Sequence, residues 1–112
     1  MSAISLNIYK KDDKKTIEKT YTVDGYELML GTVEEFVNII DVDKLNDNTA
    51  VAGMILKGYS KIKPLIKDIF PEVTDEELNR AKVTELVQVI VDTGKAVAEN
   101  FAFLKQGNLM RA

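Results

Sequence analysis

Carboxylates are the only abundant groups in this chain with the chemistry for proton transfer or metal binding. The sequence holds 18 Asp+Glu and 15 Lys+Arg, with His 0 and Cys 0. Without imidazoles or thiols there is no Cys–His or Ser–His nucleophile, no disulfide and no structural zinc site of the usual kinds. Two carboxylates flanking a scissile bond can act as a general acid and base. The adjacent pairs here are Glu34/Glu35, Asp75/Glu76 and Glu76/Glu77. Each falls in the first turn of an expected helix, where capping and the helix dipole already account for acidic residues. Asp41, Asp43 and Asp47 begin like a calcium loop, but Leu45, Asn46 and Ala52 stand where a ligand, the turn glycine and the bidentate glutamate belong. They are expected instead to be turn and cap residues between helices. Ser60 has no histidine to activate it, and a Ser60–Lys63 pair would sit on exposed helix surface. Gly25, Gly31, Gly53 and Gly58 match no phosphate-cradling spacing. The chain is therefore read as a protein without enzymatic activity, with no catalytic, cofactor-binding or metal-binding residues and no cofactor.

The net charge of -3 does not suit nucleic acid, which is bound through a basic field that displaces counterions from phosphates. Lys10, Lys11, Lys14 and Lys15 are interrupted by Asp12 and Asp13, as expected of a solvated hairpin tip. No segment approaches the roughly 18 apolar residues of a membrane span, and the start carries no signal-like apolar run. The absence of cysteine fits a reducing compartment, so cytoplasm is the expected location. Most of the 4 Tyr and 4 Phe fall on stripes that point inward. Phe101 and Phe103 differ. Two positions apart on a helix, they point about 200° from each other, so both cannot share one narrow buried stripe. Either one of them is exposed near the end of a long apolar helix, or the helix stops before Phe103. Phe101, Phe103 and Leu104 are accordingly the candidate protein-contact residues.

The elements that position these residues divide into strands and helices. A chain of 112 residues suits a single α+β domain over 1–112. Ser5–Tyr9 and Thr16–Val23 alternate at period two, with Leu6 and Ile8 on one face of the first, and Ile17, Lys19, Tyr21 and Val23 on one face of the second. They predict an antiparallel hairpin. Tyr26–Leu30 is expected to be a third short strand after the Asp24-Gly25 turn, so the strand region spans about 3–30 as a hairpin or a meander. Four to five helices are expected over about 32–105. Thr32 and Glu35 predict a capping box for the first, and Asp47 or Asn48 starts the second, where Gly53, Gly58 and Pro64 weaken the pattern and Pro64 is expected to kink or divide it. Thr74 and Glu77 predict another capping box, with Val73 and Leu78 as its hydrophobic staple. The last helix is expected from about Thr84 to Leu104, with a frayed tail over 106–112. Its wide apolar stripe suits burial on more than one side or across a subunit boundary.

Between Tyr26 and Val91 the chain resembles the tail assembly chaperones of long-tailed phages and prophages of Gram-positive bacteria. The likeness rests on Gly31-Thr32-Val33-Glu34-Glu35, on Lys63-Pro64-Leu65-Ile66-Lys67-Asp68-Ile69-Phe70-Pro71, and on Thr74-Asp75-Glu76-Glu77-Leu78 followed by Lys82-Val83-Thr84-Glu85-Leu86-Val87. The resemblance implies a non-enzymatic viral protein of the host bacterial cytoplasm, absent from the mature virion. Such a protein binds the tape-measure protein and keeps its apolar helices soluble while tail-tube subunits polymerise. It also implies self-association and, in many members, a longer frameshifted form. The alternatives are a structural subunit of the tail or head–tail connector, pairing through its strands, or a small regulatory protein-binding module.

Overall fold

The computed structural model describes residues 3–106, with side chains through residue 100. A two-stranded antiparallel hairpin comes first, β1 (Ala3–Tyr9) and β2 (Ile17–Asp24). Five helices follow: α1 (Leu30–Ile39), α2 (Asn48–Lys57), α3 (Tyr59–Ile69), α4 (Asp75–Asn79) and α5 (Val83–Gln106). The protein is thus α+β, with the hairpin rather than the meander.

Alternation explains the hairpin's inner face. Ile4, Leu6 and Ile8 are fully buried, opposite Val23, Tyr21 and Lys19 respectively. A bulge breaks the register after Ile8, so Tyr9 faces Ile17 instead of Glu18. An extra residue in one strand moves the residues beyond it onto the other face. Ile17 therefore leaves the Lys19–Tyr21–Val23 face expected for it and stands 47% exposed.

Among the described residues the expected third strand is absent. The Asp24 side chain accepts a hydrogen bond from the Tyr26 amide at 2.9 Å, and this local bond winds Gly25–Glu27 into a 3₁₀ turn. Leu28 then dips into the core and α1 begins at Leu30. Thr32 lies inside that helix with its side chain buried, and Met29 occupies the cap position without a side-chain bond, so the Thr32–Glu35 box does not form. Asp41 and Asp47 do act as caps: Asp41 accepts from the Asp43 amide, and Asp47 from the amides of Thr49 and Ala50.

The division between α2 and α3 falls at Gly58, not at Pro64. The Gly58 amide closes α2 on the Met54 carbonyl, while its carbonyl opens α3 by accepting from Lys61 and Ile62. Pro64 lies within α3 on its exposed side, and the carbonyl it leaves without a helical donor belongs to Ser60, also exposed, where water can serve it. A side chain at Gly58 would meet the Met54 carbonyl at 3.2 Å, whereas one at Gly53 meets nothing within 4 Å. Gly53→Ala is therefore expected to stabilise the protein by about 0.5–1 kcal/mol, since alanine loses less backbone entropy in a helix interior. Urea denaturation at neutral pH measures it.

One apolar cluster joins all the layers. It takes Ile4, Leu6 and Ile8 from the hairpin, Phe36 and Ile40 from α1, Val51 and Ile55 from α2, the Ile62–Ile69 stripe of α3, and Val89, Ile90 and Val97 of α5. Val73 and Leu78 are buried either side of the Thr74 cap, as the staple requires. Among the described residues, no buried side-chain nitrogen or oxygen lacks a partner.

Candidate protein-contact surface

Helix α1 turns Thr32, Phe36 and Ile40 to the core and leaves a second apolar stripe beside them. Leu30, Val33 and Val37 follow at i, i+3 and i+7, which places them on neighbouring turns of one helix face. Leu30 is 75% exposed, and Met29 just before it is 74% exposed. Val37 and, in the preceding 3₁₀ turn, Tyr26 are also exposed, and Val33 is half-buried. Single exposed apolar residues are ordinary, but a run of them along one segment is a candidate contact surface.

The same region meets the carboxy-terminal half of α5. The Asn100 side-chain amide donates to the Gly25 carbonyl at 3.4 Å, tying the helix to the 3₁₀ turn that carries Tyr26. Phe101, Phe103 and Leu104 lie further along α5, so the helix continues past Phe103, but their side chains fall outside the described residues. Sequence reasoning misses the 26–37 surface because Tyr26–Leu30 reads as a strand. The i, i+3, i+7 spacing of Leu30, Val33 and Val37 is the signal that could have found it.

Titratable groups gather elsewhere, along a seam between the hairpin and α4–α5. Glu77, buried in the α4 capping box, accepts from the Tyr21 hydroxyl at 2.6 Å and the Thr74 amide at 3.0 Å, and pairs with Lys19 at 3.1 Å. Burial pushes its pKa up, but the bonds from Tyr21, Thr74 and Lys19 outweigh that and hold it down at about 2. Glu77 in turn raises the pKa of Tyr21, and Lys19 is raised first by Tyr21 and then by Glu77. Arg80 binds Glu76 at 2.8 Å, Glu18 at 3.1 Å and the Tyr9 carbonyl at 2.7 Å. Glu85 accepts from the Tyr9 hydroxyl at 2.9 Å and from the Asn7 amide at 3.4 Å. Lys82 sits 3.9 Å above the Tyr9 ring.

This seam ties the hairpin to α4 and α5. A general base works best with a pKa near the operating pH, and the Glu77 carboxylate at about 2 is far too weak a base. The cleft of about 270 Å³ beneath the hairpin tip is lined by lysines and by Arg80, whose guanidinium is already committed to Glu18 and Glu76. Lys63 is bound to Asp75 at 3.0 Å and does not serve Ser60. One carboxyl pair has no signature in the sequence: Asp68 of α3 faces Glu35 of α1, and their hydrogen bond, then burial, raises the Glu35 pKa. Among the described residues no three Asp or Glu side chains converge as a metal site, and no helix is long and apolar enough to cross a membrane.

Compared with known protein families, curated proteins and solved structures, the chain matches none.

Proposed function

We propose that this chain is a phage tail assembly chaperone, a non-enzymatic protein that binds apolar helices of the tape-measure protein and keeps them soluble while the tail tube assembles. The observation that carries the reading is the exposed apolar set of Met29, Leu30 and Val37 on and just before α1, with half-buried Val33 between them and exposed Tyr26 in the preceding turn. An amphipathic client helix buries its own apolar face against such a stripe, with anchors at helical spacing. Weak contacts repeated along a long client gain avidity from their linkage, so one modest patch per copy is sufficient. The resemblance of the helix-boundary motifs to tail assembly chaperones adds the identity of the client. The bacterial cytoplasm is the setting that this role implies.

Co-expression with the tape-measure protein tests the proposal. The wild-type chain is expected to keep the client soluble and to elute with it. The Leu30→Glu, Val37→Glu double variant is expected to lose at least tenfold of the recovered complex while melting within a few degrees of wild type, because both positions are exposed. A client that precipitates with the wild-type chain, or complex recovery unchanged by the double variant, overturns the reading. So does stoichiometric recovery of this chain from purified particles.

A further inference from the structure

The two edges of the hairpin are treated differently by the rest of the molecule. On β1, the Asn7 amide is met by Glu85 and the Tyr9 carbonyl by Arg80, so side chains from the α4–α5 region block that edge. In an antiparallel pair, opposed residues alternate between those that bond each other and those whose backbone groups point outward. Because the Asn7 amide points away from β2, its opposite residue Thr20 also turns its backbone outward, and so does Thr22 opposite Ser5. Close side-chain contacts of Thr20 with Asn7 at 2.7 Å and of Ser5 with Thr22 at 3.1 Å fit that phase, since side chains approach most closely at such pairs. Among the described residues nothing caps the outward groups of Thr20 and Thr22. An open strand edge of this kind is a template for another strand.

We propose that the open edge of β2 pairs with β2 of a second copy of this chain, antiparallel, about a two-fold axis at Thr20. Charge and strand length together select the register. Centring the pair on Glu18 or Lys19 sets like charges face to face, and centring it on Tyr21 opposes Glu18 to Asp24. Centring on Thr20 or on Thr22 opposes no like charges within the strand, but centring on Thr22 pairs only residues 20–24, whereas centring on Thr20 pairs 17–23, with Thr20 opposite Thr20, Lys19 opposite Tyr21 and Glu18 opposite Thr22. It also satisfies the outward Thr20 backbone groups of both copies at once. Beyond the strand ends this register brings each hairpin tip, Asp13, Lys14 and Lys15, alongside the partner's Asp24–Glu27 end, so two cations and one carboxylate meet two carboxylates. Among the described residues neither Lys14, Lys15 nor Glu27 is engaged in an ion pair within its own chain. This dimer does not depend on the identity of the client, whose surface lies mainly on α1 and borders the dimer contact at Tyr26.

The contact is short, well under the roughly 1,200 Å² of a stable interface, so the dimer is weak and concentration-dependent. Sedimentation equilibrium is expected to show the mass rising from 12.5 kDa towards twice that value as protein concentration increases, and less so at high salt. Thr20→Lys and Thr20→Glu, at an exposed position, each place like charges on the axis and are expected to weaken the dimer at least tenfold. An equimolar mixture of the two variants is expected to restore it. In the wild-type chain, amide exchange at Thr20 and Thr22 is expected to slow with rising concentration, a readout that needs no variant. A chain that stays monomeric at millimolar concentration overturns the proposal. So do a dimer indifferent to both variants, a mixture no tighter than either variant alone, and exchange at Thr20 and Thr22 independent of concentration.

Discussion

Replacing Glu77 with alanine is expected to destabilise the protein by about 3 kcal/mol, the range for removing one partner from a buried, charge-assisted hydrogen-bond cluster. The Glu77 side chain is 8% exposed and serves three partners at once. It completes the α4 cap through Thr74, receives the Tyr21 hydroxyl from β2, and holds the Lys19 ammonium against the inner face of the hairpin. Alanine withdraws all of these and leaves the Tyr21 hydroxyl, which still accepts from Lys19 at 3.2 Å, with only the Glu72 carbonyl at 3.4 Å as an acceptor. Glu77→Gln keeps the volume and still offers an acceptor, so its expected cost is smaller, about 1–2 kcal/mol.

The pH dependence separates the charge from the shape. The folded pKa of Glu77 is depressed from 4.5 to about 2. A carboxylate depressed by folding contributes stability that is fully present above its unfolded value and is lost as pH falls through the folded one. The wild-type chain is therefore expected to lose stability between about pH 4.5 and about pH 2. Asp75 and Glu76, lowered chiefly by Lys67 and by Arg80, add to that loss with the same sign, while the raised Glu35 acts in the opposite sense. In a comparison of wild type with Glu77→Gln these other groups are common to both. The stability gap measured by urea denaturation should narrow as pH falls through this window. A gap that stays constant from pH 7 to pH 2.5 would show that the carboxylate's charge contributes nothing.

Phe36→Ala is expected to have the larger effect on the helices, about 3–5 kcal/mol, the usual cost of emptying a buried aromatic site. Phe36 is fully buried on the core side of α1. Its ring reaches the backbone of α5, where a side chain on Gly94 would lie 3.6 Å from Phe36 Cζ and would clash with Leu45 Cδ1. Neighbours this tightly placed leave little room for the site to collapse around the cavity. The melting temperature is expected to fall by more than about 10 °C, given roughly 4 °C or more per kcal/mol for a domain of this size. Because the same helix presents Leu30 and Val37 to solvent, loosening it should also weaken binding of the proposed client. The Leu30→Glu, Val37→Glu variant should lose binding without that fall in stability. The two results together distinguish the contact face from its support.

Much of this architecture is legible in the residues. The buried face of β1, the Asp47 cap, the Thr74–Glu77 box and the course of α5 all depend on side chains a few positions apart. Period-two alternation and capping are short-range effects, so local sequence is enough to determine them. The Asp24 bond to Tyr26 is equally local, yet two readings of Asp-Gly compete there. The 3₁₀ turn wins, which removes the third strand and leaves β2 with an open edge.

Other features are decided only when distant segments meet. Glu77 is visible as a cap, but its burial and low pKa come from Tyr21, 56 positions away, and from Lys19 beside it. Glu35 is spaced for a box with Thr32 and instead faces Asp68 on another helix. A one-residue bulge, invisible in the alternation, exposes Ile17. The surface stripe of α1 also depends on the tertiary structure, because apolar residues at helical spacing read alike whether or not another element covers them. Which of two neighbouring apolar faces is buried is settled by the global packing of helices against the hairpin. In α1 that packing takes Phe36 and leaves Leu30 and Val37 in water.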